Sequence, residues 1–233
     1  MKILEIENLS YSYPDGTKAI DNISFSMDEG QKMAVLGANG AGKSTLMLHL
    51  NGILEGKGRI SVCGLELGKK NTRQIRQKVG LVFQNPDDQL FCPTVFDDVA
   101  FGPQNMGLPK EEIQKRVTAA LARVGLTGFE KRSPFHLSTG EKKRVSLATV
   151  LSMDSELIVL DEPTSNLDPK GRREIIELLA TLGKSMIIVT HDFDMASRLC
   201  PRSIVLSKGR LVADGETAKI ISDETLLKNN GLY

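Results

Sequence analysis

Tryptophan is absent from this sequence, cysteine occurs three times, and charge of neither sign prevails. The 30 Lys and Arg residues are balanced by 29 Asp and Glu, a formal charge of +1. No basic excess therefore recommends nucleic acid as a partner. No apolar run approaches the roughly 18 residues that a membrane-spanning helix needs. The opening Met1-Lys2-Ile3-Leu4-Glu5 lacks the apolar core of a secretory signal. These absences predict a cytosolic chain that reaches a membrane only through a partner. Cys63, Cys92 and Cys200 lie far apart, without metal-ligand spacing, and read as reduced, packed thiols. No repeat or low-complexity tract appears. A length of 233 residues suits one domain, residues 1–233, with a large core.

What is present falls into ordered blocks. Residues 1–31 and 57–66 hold strand-like segments such as Ile3-Leu4-Glu5-Ile6 and Ile23-Ser24-Phe25-Ser26, the expected antiparallel β part. Residues 32–56 and 79–84 begin a second region, and residues 85–151 are expected to be mostly helical. Within them Ile113, Val117, Leu121 and Val124 recur at helical spacing, which reads as core packing. Gly125 and Gly128 interrupt that pattern. Residues 155–213 alternate strand and helix, the mark of an α/β fold with a parallel sheet. The last twenty residues read as a short helical tail.

The most informative run is Gly37-Ala38-Asn39-Gly40-Ala41-Gly42-Lys43-Ser44-Thr45. It fits G-x-x-x-x-G-K-[ST] and lies between a buried strand, Met33-Ala34-Val35-Leu36, and a helix beginning near Thr45. A strand running through a glycine-rich turn into a helix aims successive backbone N–H groups at one point, an anion site. Gly37, Gly40 and Gly42 would let the backbone curl round phosphate, with Asn39 and Ala41 between them. Lys43 would meet β- and γ-phosphates, and the Ser44 hydroxyl would ligate Mg²⁺.

Three further strand ends carry polar groups. Leu157-Ile158-Val159-Leu160 is an aliphatic run ending in Asp161-Glu162. Such a run suits a parallel strand buried on both faces, whose C-terminal end opens on the ligand crevice of an α/β sheet. Asp161 is assigned to the outer shell of the metal and Glu162 to the attacking water. Taken alone, the pair also suits a solvated strand end. His191 follows Met186-Ile187-Ile188-Val189-Thr190 and could hydrogen-bond the γ-phosphate, although a lone histidine is more often structural. Gln84 follows Val79-Gly80-Leu81-Val82-Phe83, where an amide could touch both Mg²⁺ and water.

Leu137-Ser138-Thr139-Gly140-Glu141-Lys142-Lys143-Arg144 resembles the signature motif of ATP-binding-cassette (ABC) ATPases, and it lies between Gln84 and Asp161 as in that family. Ser165-Asn166-Leu167-Asp168 resembles the family's D-loop. The resemblance spans nearly the whole chain. It implies the ABC ATPase form of the P-loop fold, with a parallel-sheet core, an antiparallel β subdomain and a helical subdomain at about residues 85–151. It also implies ATP as ligand and ATP hydrolysis as activity. Two such domains would meet head to tail, each ATP held by one phosphate loop and by Ser138, Thr139, Gly140 and Glu141 of the other. Ser138 and Gly140 precede a helix expected over Glu141–Leu151, a second helix start open to an anion. Tyr13 matches the aromatic that stacks on adenine in this family, the alternative being a strand aromatic packed on the sheet. The family usually has glycine where this chain has Thr139 and often glutamine where it has Glu141. The threonine restricts φ and adds bulk, the glutamate brings negative charge towards ATP, and both are expected to weaken the closed dimer.

The stretch Phe83-Gln84-Asn85-Pro86-Asp87-Asp88-Gln89-Leu90-Phe91, continued by Thr94-Val95 and Asp97-Asp98-Val99-Ala100-Phe101-Gly102-Pro103, is similar to ATPases of energy-coupling-factor importers of vitamins, cobalt or nickel. Glu141-Lys142-Lys143-Arg144 is similar to the metal-type members. The resemblance implies a transmembrane coupling subunit as partner, a location on the cytoplasmic face of the membrane, and a homodimer or a heterodimer with a paralogue. Leu90, Phe91, Val95, Phe96 and Phe101 could form a groove for a partner helix or could pack into the helical subdomain. Many such ATPases extend further at the C-terminus than this chain. A soluble ABC ATPase, the ATPase of another ABC transporter class and a P-loop kinase remain alternatives. Release of free phosphate with no phosphorylated acceptor separates the kinase from the rest.

Overall fold

The computed structural model describes residues 1–232, so Tyr233 lies outside the described residues. In chain order, β1 (Lys2–Ser12) and β2 (Lys18–Asp28) form a hairpin, and β3 (Lys32–Leu36) leads into α1 (Lys43–His49). Next come β4 (Lys57–Val62), β5 (Leu65–Glu66), α2 (Thr72–Lys78) and β6 (Val79–Val82). The middle of the chain is helical, with α3 (Val95–Asn105), α4 (Lys110–Arg123) and α5 (Thr139–Leu151). After β7 (Leu157–Asp161) follow α6 (Pro169–Thr181), β8 (Ser185–Val189) and α7 (Phe193–Leu199). The hairpin β9 (Arg202–Ser207) and β10 (Arg210–Glu216) precedes α8 (Thr217–Ser222) and α9 (Glu224–Asn229).

Two sheets result. An antiparallel sheet has the order β2-β1-β4-β5, and a second sheet has the order β10-β9-β3-β8-β7-β6. In the second, β9, β3, β8, β7 and β6 are mutually parallel. Successive strand residues point to opposite faces, so each aliphatic run feeds two cores. Ala34, Leu36, Ile158, Leu160, Met186 and Ile188 pack on the helical side with α3 to α7. Met33, Val35, Leu157, Val159, Ile187 and Val189 pack against the antiparallel sheet and Leu46, Met47 and Leu50 around α1. Each such aliphatic side chain, taken fully from water, contributes roughly 1.5–3 kcal/mol.

The antiparallel part, the helical segment and the tail fall where the sequence places them. Three boundaries differ. The first two are helix starts, at Lys43 rather than near Thr45 and at Thr139 rather than Glu141, because Gly42 and Ser138 hold the N-cap positions. The third is the alternation over 155–213, which ends in an antiparallel strand: β10 turns back on β9 through Lys208 (φ 48°) and Gly209 (φ 76°). Positive φ at both central residues is what a tight two-residue hairpin demands, and it leaves no room for a crossover helix. Among the described residues, no helix is long and apolar enough to cross a membrane.

Register fixes the functional edge. Val35 pairs with Val189, Asp161 with Val189, and Val82 with Leu160, so β3, β8, β7 and β6 end side by side. The residues that follow them are the phosphate loop, Thr190-His191, Glu162 and Gln84.

Candidate functional site

The phosphate loop is held down by its own glycines. A Cβ on Gly37 would lie 2.5 Å from the Leu206 carbonyl oxygen, and one on Gly42 (φ 101°) would lie 2.5 Å from that of Ala19. Both therefore owe their identity to close packing on β9 and β2 as much as to any ligand, which sharpens the expectation from the sequence. Gly40 has open space where a Cβ would be. Asn39 is exposed at the tip of the loop, while Ala41 and Thr45 are buried.

Lys43 is buried, and its Nζ donates to the carbonyls of Gly37 at 2.7 Å and Ala38 at 3.0 Å. Burial lowers its pKa, and the carboxylates of Glu162 and Asp161 act in the opposite direction. The Ser44 hydroxyl donates to Asp161 Oδ2 at 3.0 Å. Burial raises the Asp161 pKa above the usual carboxylate range, with the Ser44 hydrogen bond opposing. Ser44 is exposed and Asp161 is 7% exposed, so the pair presents hard oxygen donors at the crevice.

Glu162 is 7% exposed and adopts φ 43°, in the left-handed region. Its amide donates to Val189 O at 2.9 Å. Its carboxylate is held from the neighbouring strand end. Thr190 Oγ1 and the His191 amide donate to Oε2 at 3.2 and 3.4 Å, and His191 Nδ1 lies 2.7 Å from Oε1. A proton on Nδ1 satisfies that contact and leaves Nε2 directed away from Glu162, on a side chain 70% exposed. Gln84 is exposed, and its backbone carbonyl accepts from Lys143 Nζ at 3.1 Å. The crevice thus gathers Lys43, Ser44, Asp161, Glu162, His191 and Gln84 at one sheet edge. It joins a cation, an oxygen pair suited to a hard metal and a carboxylate steered by an imidazole. Those are the groups that in-line attack of water on a phosphoanhydride requires.

Tyr13 follows β1 at the rim of this crevice. Its ring meets Tyr11 edge to face at 5.1 Å, and its hydroxyl lies 2.9 Å from Thr45 Oγ1. It is therefore fixed to the phosphate loop as well as stacked on a strand aromatic.

The signature segment lies apart. Ser138, Thr139 and Gly140 border a cleft of about 590 Å³ shared with Arg144, Asn166 and Asp168, and its lining includes no residue of the phosphate loop. Ser138 N and Oγ donate to Glu141 Oε2 at 2.8 and 2.7 Å, and the Glu141 amide reaches Ser138 Oγ at 3.4 Å, forming a capping box. Ser138 holds the Glu141 carboxyl below its ordinary pKa. The negative charge expected to point outwards is turned back on its own helix.

Of the five apolar residues after Gln84, Leu90 and Val95 are buried and Phe96 packs on the helical core. Phe91 (60% exposed) and Phe101 (47% exposed) stay outside, stacked edge to face at 5.1 Å. Phe101 borders a groove of about 750 Å³ with Arg73, Arg76, Met106 and Met153. Asp98 Oδ1 accepts from the amides of Phe91 and Cys92 at 3.0 Å each and so shapes that loop.

Two residues that the sequence does not single out tie these parts together. Gln89 Nε2 donates to Ser146 O and Thr149 Oγ1 on α5, while its Oε1 accepts from the Phe83 amide. Lys143, 5% exposed on the same helix, donates to Gln84 O, Glu162 O and Ser165 Oγ. Burial pushes the Lys143 pKa down to about 8. The signal that finds it is helical spacing, because Lys143 shares a face with the buried Leu147 and Val150.

Comparison with known proteins agrees with this fold. The family model described as ABC transporter matches residues 20–165. The energy-coupling factor transporter ATP-binding protein EcfA of Carboxydothermus hydrogenoformans is 51% identical, over 98% of this chain and 86% of that protein. Among solved structures, cbiO1 of Clostridium perfringens, described as part of the ABC transporter complex cbiONQ, superposes with a TM-score of 0.86. It is 40% identical and covers 99% of this chain and 95% of its own. A dimeric ATP-binding cassette in a post-hydrolysis state, bound to ADP and Pi, superposes with a TM-score of 0.81 at 26% identity. That match covers 92% of this chain and 98% of the other.

Proposed function

This chain belongs to the ABC transporter family, and on that premise we propose that it is the ATP-hydrolysing subunit of an importer of the energy-coupling-factor class. Its cargo is a transition metal of the cobalt and nickel kind, or a vitamin. The observation that carries the reading is the junction of strand ends where Lys43, the Ser44–Asp161 pair and Glu162 converge.

Each group has a task there. Lys43 meets the β- and γ-phosphates, and the loop amides from Gly37 to Thr45 surround them. Ser44 and Gln84, with Asp161 in the outer shell, would hold Mg²⁺, which would neutralise charge on the phosphates. The chain's own donors fit that ion. No group of three or more His, Cys, Asp or Glu gathers among the described residues, and Mg²⁺ bound to a nucleotide needs only one or two side chains beside the phosphate oxygens. Glu162 orients the attacking water and takes its proton, and His191 fixes the carboxylate that does so. Tyr13 stacks on the adenine.

The separation of the signature cleft from the phosphate loop supports a dimer in which Ser138 of one subunit meets the nucleotide of the other. The partner ATPase is a second copy or a paralogue. The groove beside Phe101 suits a helix of a transmembrane coupling subunit, which holds the chain at the cytoplasmic face of the membrane. The similarity to EcfA and cbiO1 favours this class over a soluble ABC ATPase.

The test has two parts. Purified protein with ATP and Mg²⁺ is expected to release phosphate and to phosphorylate no acceptor. Expressed with the membrane proteins encoded beside it, the chain is expected to purify as a complex whose hydrolysis responds to them. Phosphate transfer to an acceptor, or hydrolysis indifferent to any membrane partner, overturns the assignment.

A further inference from the structure

Three oxygens from two loops of the crevice converge on one buried ammonium. Lys143 Nζ donates to Gln84 O at 3.1 Å, to Glu162 O at 3.0 Å and to Ser165 Oγ at 3.1 Å. Ser165 Oγ and the Ser165 amide also donate to Glu162 O, at 2.9 and 3.1 Å, so that carbonyl receives three donors. An ammonium carries three donors and no acceptor, which matches three oxygens approaching from three directions. The nearby carboxylates of Glu162 and Asp161 supply the counter-charge.

The carbonyl being held belongs to a residue in an uncommon conformation. Glu162 has φ 43°, and a residue with a Cβ keeps such a backbone only where its surroundings impose it. Here the amide is fixed by Val189 O and the carbonyl by Lys143 and Ser165. That backbone aims the carboxylate at Thr190 and His191. A filler with no other task would not need charge, since an apolar side chain of similar volume avoids the desolvation cost of a buried ion. Lys143 also sits on α5, the helix that begins with the signature segment.

We propose that Lys143 is a positioning residue for ATP hydrolysis: by clamping the Glu162 carbonyl it sets the direction of the Glu162 carboxylate and couples that direction to the signature helix. The inference rests on the reading of Glu162 as the group that orients water. It assigns Lys143 no contact with nucleotide.

The experiment is steady-state ATP hydrolysis by the full chain carrying Lys143→Met, which keeps the stem and removes the ammonium, or Lys143→Arg, which keeps charge and donors. Each is measured alone and together with Glu162→Gln. Lys143→Met is expected to lower kcat by about 10–100-fold, the scale on which a misplaced reacting group loses rate. The KM for ATP is expected to stay within about 2-fold, as for a group acting only on the chemical step. Lys143→Arg is expected to recover part of the loss. In the Glu162→Gln background Lys143→Met should cost less than about 3-fold, because the group it positions is already gone.

Wild-type kcat in Lys143→Met overturns the proposal. So does the same loss in both backgrounds, or a parallel fall of kcat and ATP affinity, either of which marks a purely structural role. Should Lys143→Met fail to fold, Ser165→Ala removes the hydroxyl that donates to the same carbonyl and accepts from Lys143 Nζ, leaving the Ser165 amide in place. A kcat loss there that vanishes with Glu162→Gln supports the clamp, and unchanged kcat overturns it. Glu162→Gln alone at the wild-type rate overturns both this inference and the reading beneath it, whereas an inactive Glu162→Gln beside a fully active Lys143→Met overturns the inference alone.

Discussion

The helix after the phosphate loop and the helix that opens the signature segment begin in opposite ways. The first starts at Gly42 with no side-chain cap and no acidic residue in its first turn. Its orphan N–H groups are left for a ligand, although in the loop before it the Ala41 amide donates to Ala38 O, and its hold on the fold comes from Leu46, Met47 and Leu50 beneath it. The second starts at Ser138 and is closed by its own Glu141, whose carboxylate takes up both Ser138 donors. One half-site is open and braced by packing. The other is exposed and already occupied by an internal anion. A phosphate entering the first half meets the uncapped amides of the helix start, with Lys43 Nζ turned to the Gly37 and Ala38 carbonyls, whereas one entering the second must displace a carboxylate.

The comparison fails most visibly if the open half is not where chemistry occurs. Glu162→Gln keeps the shape but puts an NH2 in place of one of the two carboxylate oxygens and removes the group proposed as base. Hydrolysis is expected to fall by roughly 10²–10⁴-fold, the usual range for a positioned general base. Nothing that holds the phosphates changes, so ATP binding should persist and trap a dimer on size-exclusion chromatography with ATP and Mg²⁺. A variant that stops hydrolysing yet stays monomeric keeps the catalytic role and points to a paralogue as partner. Undiminished phosphate release removes the role.

Lys43→Ala tests the same half through binding. A charge-assisted hydrogen bond to phosphate is worth on the order of 1.5–3 kcal/mol, so nucleotide affinity should drop by about 10–100-fold or more. Titration of a fluorescent nucleotide analogue measures it. Affinity close to wild type means that Lys43 serves the carbonyls of Gly37 and Ala38 and not a ligand.

The two halves were also unequally legible in the sequence. Parallel strands buried on both faces appear as unbroken aliphatic runs, and each ends on a polar residue, so the sequence alone places Asp161, Glu162, His191 and Gln84 at strand ends. The run Glu141-Lys142-Lys143-Arg144 hides its meaning, because four charges in a row resemble a solvated face. In fact Lys142 pairs with Asp87 and Arg144 with Glu174 at the surface, while Lys143 turns inwards on the face of Leu147. Glu141 is legible in the capping pattern Ser138-x-x-Glu141, yet the likeness to a known motif draws attention to its charge and away from its geometry. The contact of Tyr13 with Thr45 joins segments 32 residues apart, and no local pattern announces it.

That contact sharpens the open half further. Tyr13→Ala is expected to weaken ATP binding by about 1–3 kcal/mol if the ring stacks on adenine. Tyr13→Phe keeps the ring and loses only the hydroxyl contact with Thr45, a net hydrogen bond of about 0.5–1.5 kcal/mol at most. Isothermal titration of both variants separates the two contributions. Equal losses assign the effect to the hydroxyl and remove the stacking role.

The smallest effect expected is the one that bears most directly on the contrast between the helix starts. Glu141→Gln keeps the capping pattern, since glutamine also serves at the third position of the box, so the helix should lose little stability. The charge that competes with phosphate is gone. Because Ser138 holds the Glu141 carboxyl below its ordinary pKa, it stays ionised at neutral pH, and the competition operates under working conditions. Removing it should help the ATP-bound dimer form by a few-fold, on the scale of one altered partner for exposed donors, about 0.5–1 kcal/mol. Thr139→Gly acts on the same segment by another route, freeing the backbone and removing bulk, and should add to the gain if the two are independent. Sedimentation with ATP in the Glu162→Gln background, with and without each change, gives the dimer fraction. No gain from Glu141→Gln would mean that the carboxylate swings aside at no cost, and the two helix starts would then differ in structure but not in function.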